Sequence, residues 1–231
     1  LFPVGVAAAQ CAPVGFPLTG ETPANWWPGD DTSLDIVTGV EATLQNGASF
    51  DAGVVGMAFD LDGQDQSVTM PDSRDWNFGT CDFSIMAWAN ARDLVAGIPL
   101  VSHDEGAGDQ SKWIFWAPPW GGLTFHINSP ATSGIDLVTF YDFQPELDRW
   151  YHFAVTRKHD LFVLYVNGLP VASATDSHKI PVAKAPLMIG QAEAFPLNGL
   201  IDEVKIYRRA LSAAEVRSFG FIQGASAVPV P

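Results

Sequence analysis

Basic side chains are scarce in this sequence: 12 Lys and Arg stand against 26 Asp and Glu, a formal net charge of -14 at pH 7. Neutralising phosphate needs a basic face, so nucleic acid and anionic membrane surfaces are excluded as partners. The same carboxylate excess suits cations. Long apolar runs are absent too, which excludes insertion into a membrane by a helix. Cysteine is limited to Cys11 and Cys81. They fit no metal spacing and no C-x-x-C motif, leaving either one disulfide or two unrelated thiols. Charged residues of both signs make up only 16% of the chain, whereas there are 21 Gly, 17 Pro and 8 Trp. Exported β-rich proteins have that profile more often than cytosolic helical enzymes do.

With 231 residues, 47% of them hydrophobic, the chain can bury the core of a single large domain. Residues 1–25 are rich in Gly, Pro and small side chains without a sustained period, and read as an extended lead-in. Their opening, LFPVGVAAAQ, ends in small residues as a signal-peptide remnant does, but without the charged n-region. Residues 26–220 form the expected domain. Residues 221–231 include GASAVPVP, the composition of a flexible tail or linker, and suggest a module cut from a longer exported chain. Secretion or display at the cell surface is the expected location.

Between these ends, short apolar segments alternate with turns. Strands are expected over 54–60, 67–70, 83–90, 99–102, 113–117, 123–128, 137–141, 150–157, 161–166, 171–175, 187–190 and 199–207. Short strands at such regular spacing predict an all-β sandwich or jelly roll. Asn167-Gly168 joins two β-branched runs and predicts a tight hairpin, because both residues tolerate positive φ. Asp62-Gly63 predicts a second one. The only helix signal is SAAEVRSFG, where Ser212 and Glu215 have capping-box spacing.

Four segments resemble, in order, the laminin G-like or concanavalin A-like jelly-roll domains of exported bacterial proteins. They are WWPGDDTSLDIVTGVEATLQNGASF, GMAFDLDG followed by FGTCDFSIMAWAN, DRWYHFAVTR with LYVNGLPVAS, and GLIDEVKIYRRALSAAEV, together spanning residues 26–216. The resemblance implies two stacked antiparallel sheets, one open to ligands, with a short C-terminal helix. It also implies a structural calcium ion near the first and last strands. By position, Asp202 of GLIDEV and Asp35 of SLDIVTG match the expected ligands, with the Gly39 carbonyl as a third. Calcium accepts six to eight oxygens and takes main-chain carbonyls readily. The alternative is that Asp202 and Glu203 are charges guarding an edge strand. The strand period of two places Glu203 on the face opposite Asp202.

Catalytic signatures are missing. The hydrolases of the resembled superfamily carry E-x-D-x-x-E on one strand, which sets two carboxylates at a catalytic separation. Here only Glu146-Leu147-Asp148 starts such a run, and no second Glu follows. No nucleophile elbow, H-E-x-x-H or nucleotide loop occurs either, and His103, His126, His152, His159 and His178 lack ligand spacing. His152 reads as a packing or hydrogen-bonding residue.

The candidate binding surface is SKWIFWAPPWGGLTFHIN. Trp113 and Phe115 alternate with Ile114 and Trp116, so one set faces the core and the other the open side, and Trp120 and His126 follow in the next turn and strand. Aromatic faces stack on sugar rings. The alternative is that all these aromatics are core. Trp26, Trp27, Trp76, Trp88 and Trp150 read as packing residues. The expectation is a non-catalytic, lectin-like module that binds a polysaccharide or glycan. A calcium-stabilised adhesion module contacting a cell-surface protein is the alternative, and a hydrolase or lyase of the same fold is third.

Overall fold

Strands that bury one side chain in two need a second sheet to cover the apolar face. A computed structural model of the protein, which describes residues 22–221, contains two such sheets. In chain order the strands are β1 (Asn25–Trp27), β2 (Thr43–Gln45), β3 (Ser49–Ala52), β4 (Met57–Asp62), β5 (Ser67–Met70), β6 (Phe83–Ala91), β7 (Ile98–Asp104), β8 (Lys112–Ala117) and β9 (Leu123–Ser129). They continue with β10 (Thr132–Phe140), β11 (Trp150–Lys158), β12 (Leu161–Val166), β13 (Leu169–Thr175), β14 (Leu187–Ile189), β15 (Gln191–Ala192), β16 (Phe195–Pro196) and β17 (Asn198–Tyr207), followed by the helix α1 (Ala213–Gly220).

One sheet runs β13-β12-β11-β6-β17-β4-β3, with β1 added beside β17. The other runs β10-β9-β8-β7-β14-β5-β2, and β15-β16 is a separate two-stranded hairpin. Every strand pair is antiparallel. The facing surfaces close on one core in which Phe83 stacks on Phe78 at 4.1 Å and Trp113 stacks on Phe125 at 5.8 Å. Each such side chain removed from water contributes about 1.5–3 kcal/mol.

Of the two hairpin turns that local signals predict, one forms. Asn167 and Gly168 have φ of 50° and 73° and close the β12–β13 hairpin. Ser212 caps α1: its hydroxyl accepts from the Glu215 amide at 3.3 Å, and the Glu215 carboxylate accepts from the Ser212 amide at 2.7 Å. Asp62-Gly63, in contrast, forms no hairpin. It carries the chain from β4 in one sheet to β5 in the other, because β4 finds its partners in β3 and β17.

Nearly all of the expected lead-in, 1–25, and tail, 221–231, lies outside the described residues. Cys81 is disulfide-bonded; Cys11, the sequence's other cysteine, lies outside the described residues. Among the described residues no helix is long and apolar enough to cross a membrane.

Candidate functional site

Strand β8 divides its side chains as alternation requires. Trp113 and Phe115 point into the core, while Lys112, Ile114 and Trp116 lie on the outward face of the seven-stranded sheet. Trp113 is 0% exposed, and its indole N–H donates to the Trp76 carbonyl at 3.2 Å. It has no surface to offer a ligand, so its expected place in a binding site is corrected to a place in the core. Cross-strand register puts His126 beside Ile114 and Thr124 beside Trp116.

The outward residues are not simply open. The β15-β16 hairpin folds over them, covering Ile114 and Trp116 with Ala192 and Phe195. A buried charge cluster anchors it: Lys112 pairs with Glu193 and stands 3.6 Å from Asp104, and Asp104 accepts from the Glu193 amide at 3.0 Å. Burial raises the Asp104 carboxyl above its ordinary range, opposed by the Gly106 amide and the Lys112 charge. The loop that follows β7 is therefore tied down at Asp104.

What stays open is Trp120, 71% exposed in the β8–β9 turn. Trp116 meets it edge-on at 5.2 Å and 90°, and Phe195 at 6.1 Å and 81°. Both edge-to-face contacts are favourable geometries that hold the ring in place. Trp120 also borders a cleft of about 210 Å³ with Pro118, Gly122, Phe143 and Gln144. On the same sheet, the His126 Nδ1 bonds the Asp136 carboxylate at 2.8 Å, and the Thr124 hydroxyl bonds that of Thr139 at 3.0 Å. A solvent-facing indole braced in this way can stack on a ring. Sequence reasoning missed Phe195 and Glu193. Nothing in QAEAFP announces a hairpin that returns to cover another sheet.

The carboxylates of the expected calcium site occupy two separate settings. Asp35 accepts five hydrogen bonds: Oδ1 from the amides of Trp26, Val37 and Thr38, and Oδ2 from Asn25 Nδ2 at 2.8 Å and the Thr38 hydroxyl at 2.6 Å. These account for its burial without an ion. Gly39, at φ 74°, donates its amide to the Asp35 carbonyl at 2.8 Å and completes the same turn.

Asp202 is 0% exposed, and its Oδ2 accepts from Val54 and Val55 at 2.9 and 3.0 Å, holding the tip of the β3–β4 hairpin. Its Oδ1 is buried without a partner. Burial pushes this carboxyl up to about 7, against the Val55 and Val54 amides that lower it. Asp202 and Asp35 share no hydrogen-bond partner. Among the described residues no three His, Cys, Asp or Glu side chains cluster as metal ligands.

Glu203 departs from the expected alternation. Between Asp202 and Lys205, β17 advances three residues while β6 advances two, and Glu203 takes φ 56° in the resulting bulge. The bulge lets Glu203 pair with Lys205, which lies over the Trp26 ring at 4.2 Å. Further along the same sheet face, His152 is buried beside Trp88 with neither ring nitrogen bonded, and burial pushes its pKa down to about 3.

A search by sequence against curated proteins finds no match. Solved structures do share the fold. Domain 4 of AbnA, an extracellular GH43 arabinanase from Geobacillus stearothermophilus in complex with arabinotriose, superposes with a TM-score of 0.71 at 20% identity, covering 85% of this chain and 97% of that one. The binding domain of Paraclostridial Mosquitocidal Protein 1 gives 0.66 at 20% identity, over 85% of this chain and 52% of that one. The Ruminococcus gnavus IT-sialidase CBM40 bound to α2,3 sialyllactose gives 0.59 at 15% identity, over 71% and 96%. The laminin G-type family model described as the concanavalin A-like lectin/glucanases superfamily matches residues 62–217. With an antiparallel two-sheet jelly roll in place and that match covering most of the chain, the protein belongs to the concanavalin A-like lectin/glucanases superfamily.

Proposed function

We propose that the chain is a non-catalytic, lectin-like carbohydrate-binding module of an exported protein, with its ligand seated on Trp120. One observation carries the reading: an indole 71% exposed is nevertheless braced edge-on by two aromatic rings at the border of a cleft. An exposed ring that is already ordered loses little entropy when a sugar stacks on it. Structural neighbours named for arabinotriose and sialyllactose complexes support the ligand class.

A second reading, an adhesion module contacting a protein, is favoured by Tyr141 and Val95. They are 79% and 84% exposed and follow lining residues of the Trp120 cleft in the chain or lie against them. A glycan array that includes arabinans and sialylated oligosaccharides separates the two. Sugar binding weakened at least about tenfold, roughly 1.4 kcal/mol, in Trp120→Ala supports the module as a lectin. An array blank for the wild type favours the adhesion reading. Release of reducing sugar from a bound polysaccharide would overturn the non-catalytic assignment.

Calcium belongs to the same proposal as a structural ion. Asp202 fits it best, since its Oδ1 is a buried carboxylate oxygen with no partner, and the nearby Lys205 is committed to Glu203. A cation there would offset the desolvation of the carboxylate. Asp35 and Gly39, already saturated or turned into a separate loop, are weaker candidates than their positions in the sequence suggest.

A further inference from the structure

A second cleft, about 290 Å³ in volume, opens where the start of β1 meets the 3-10 turn Arg74–Trp76. It shares no lining residue with the Trp120 cleft. Asn25, Trp27, Trp76, Asp72, Asp75 and Val40 are among its walls. Three of these carry buried polar atoms without a partner: Asn25 Oδ1, Trp27 Nε1 and Trp76 Nε1. The residues themselves are 3%, 1% and 3% exposed. The Asn25 amide nitrogen is committed to Asp35, so its carbonyl oxygen is the end left unused.

An unpaired buried donor or acceptor costs about 1–3 kcal/mol, and three of them on residues that line one cleft call for an occupant that reaches them as the side chains adjust. The two signs of hydrogen bonding restrict what it is. A metal ion or an ammonium group gives nothing to an indole N–H. An anion is repelled by Asp72 and Asp75. An apolar molecule leaves all three atoms unpaired. A hydroxyl both accepts from an N–H and donates to a carbonyl or carboxylate, so a neutral ligand bearing several hydroxyls meets the whole set. The volume lies at the small end of ligand sites, enough for one ring and not for a chain.

We propose that this cleft is a second saccharide subsite that takes a single neutral sugar ring. The inference rests on the sugar-binding reading for its ligand class, but on different residues.

The test is a 1H–15N titration of the full chain, following the tryptophan indole resonances, with arabinose, galactose and glucose, and with N-acetylneuraminate as the charged comparison. The expected result is that Trp27 and Trp76 shift to saturation with at least one neutral sugar and stay still with N-acetylneuraminate. Val40→Trp, which fills the mouth from an exposed position, and Asp72→Ala, which removes a half-exposed carboxylate, abolish those shifts while leaving any Trp120 response intact. The proposal is overturned if Trp27 and Trp76 do not move, or if their shifts survive both variants; the three polar atoms then bind water only. Movement of Trp120 without Trp27 and Trp76 removes this subsite and leaves the proposed function standing. The converse leaves the subsite and removes Trp120 as the platform, and silence at all three indoles removes both.

Discussion

Two buried titratable residues on one sheet face work against each other. Register places His152 and Asp202 on either side of Trp88, in the two strands that flank β6. Asp202 ionises near 3.8 when unfolded and near 7 when folded, so between these values only the unfolded chain loses its proton, and stability falls as pH rises. His152 shows the opposite sign. Between about 3 and its ordinary 6.5 only the unfolded chain gains a proton, and stability rises with pH. In calcium-free buffer the wild type should therefore show a damped pH dependence between pH 4 and 6.5, measured by urea unfolding. Asp202→Asn should leave the rising limb alone, and His152→Phe the falling one. Unchanged slopes in both variants would mean that neither group is perturbed as stated. At the same scale, Trp113→Ala should cost about 3–5 kcal/mol of stability as a core truncation, whereas Trp120→Ala should leave the urea midpoint almost unmoved. The alternation of KWIFWA already put Trp113 and Trp116 on opposite faces, without saying which of them faces the core. Which outward tryptophan stays open was not legible, because Phe195, remote in sequence, covers Trp116.

At the scale of elements, local chemistry was read well where the partners are local. The Ser212–Glu215 box needs only residues three apart, and Ser212→Ala should lower stability by about 1 kcal/mol in chemical denaturation, with α1 fraying first in hydrogen exchange. The β3–β4 turn is different. A Cβ added to Gly53 would stand 2.6 Å from Asp202 Oδ2 and 2.6 Å from the Met57 carbonyl oxygen. Gly53→Ala should therefore disrupt the Asp202 anchor and destabilise the fold by more than the cap variant does. Gly53 gave no such signal in the sequence, since its neighbour Asp202 is reached only through sheet pairing. Asp62-Gly63 failed as a hairpin signal for the same reason: a turn dipeptide specifies a bend, while the sheet in which each flanking strand finds its partners decides what the bend connects.

At the scale of the whole molecule, the proposed calcium ion at Asp202 acts on global stability. A ligand bound only by the folded state raises its stability. Millimolar calcium added after excess EDTA should raise the melting temperature of the wild type but not of Asp202→Asn. Because the ion requires the carboxylate form, the shift should be larger at pH 8 than at pH 6. No shift at either pH would leave Asp202 as the anchor of the β3–β4 hairpin and remove calcium from the account.

The amino-acid sequence by itself determined the class of the fold, the antiparallel strands, the capped helix, the Asn167-Gly168 hairpin and the split between Trp113 and Trp116. Each depends on neighbours within a few residues or on a period of two, and such patterns are written along the chain. Tertiary structure alone decided the rest. Asp202 holds amides up to 148 residues away, Lys112 anchors a hairpin through Glu193, 81 residues on, and Asn25, Trp27 and Trp76 come together around one cleft. The free energy of a buried polar atom depends on what lies within hydrogen-bond reach in space, and spacing along the chain does not encode that reach.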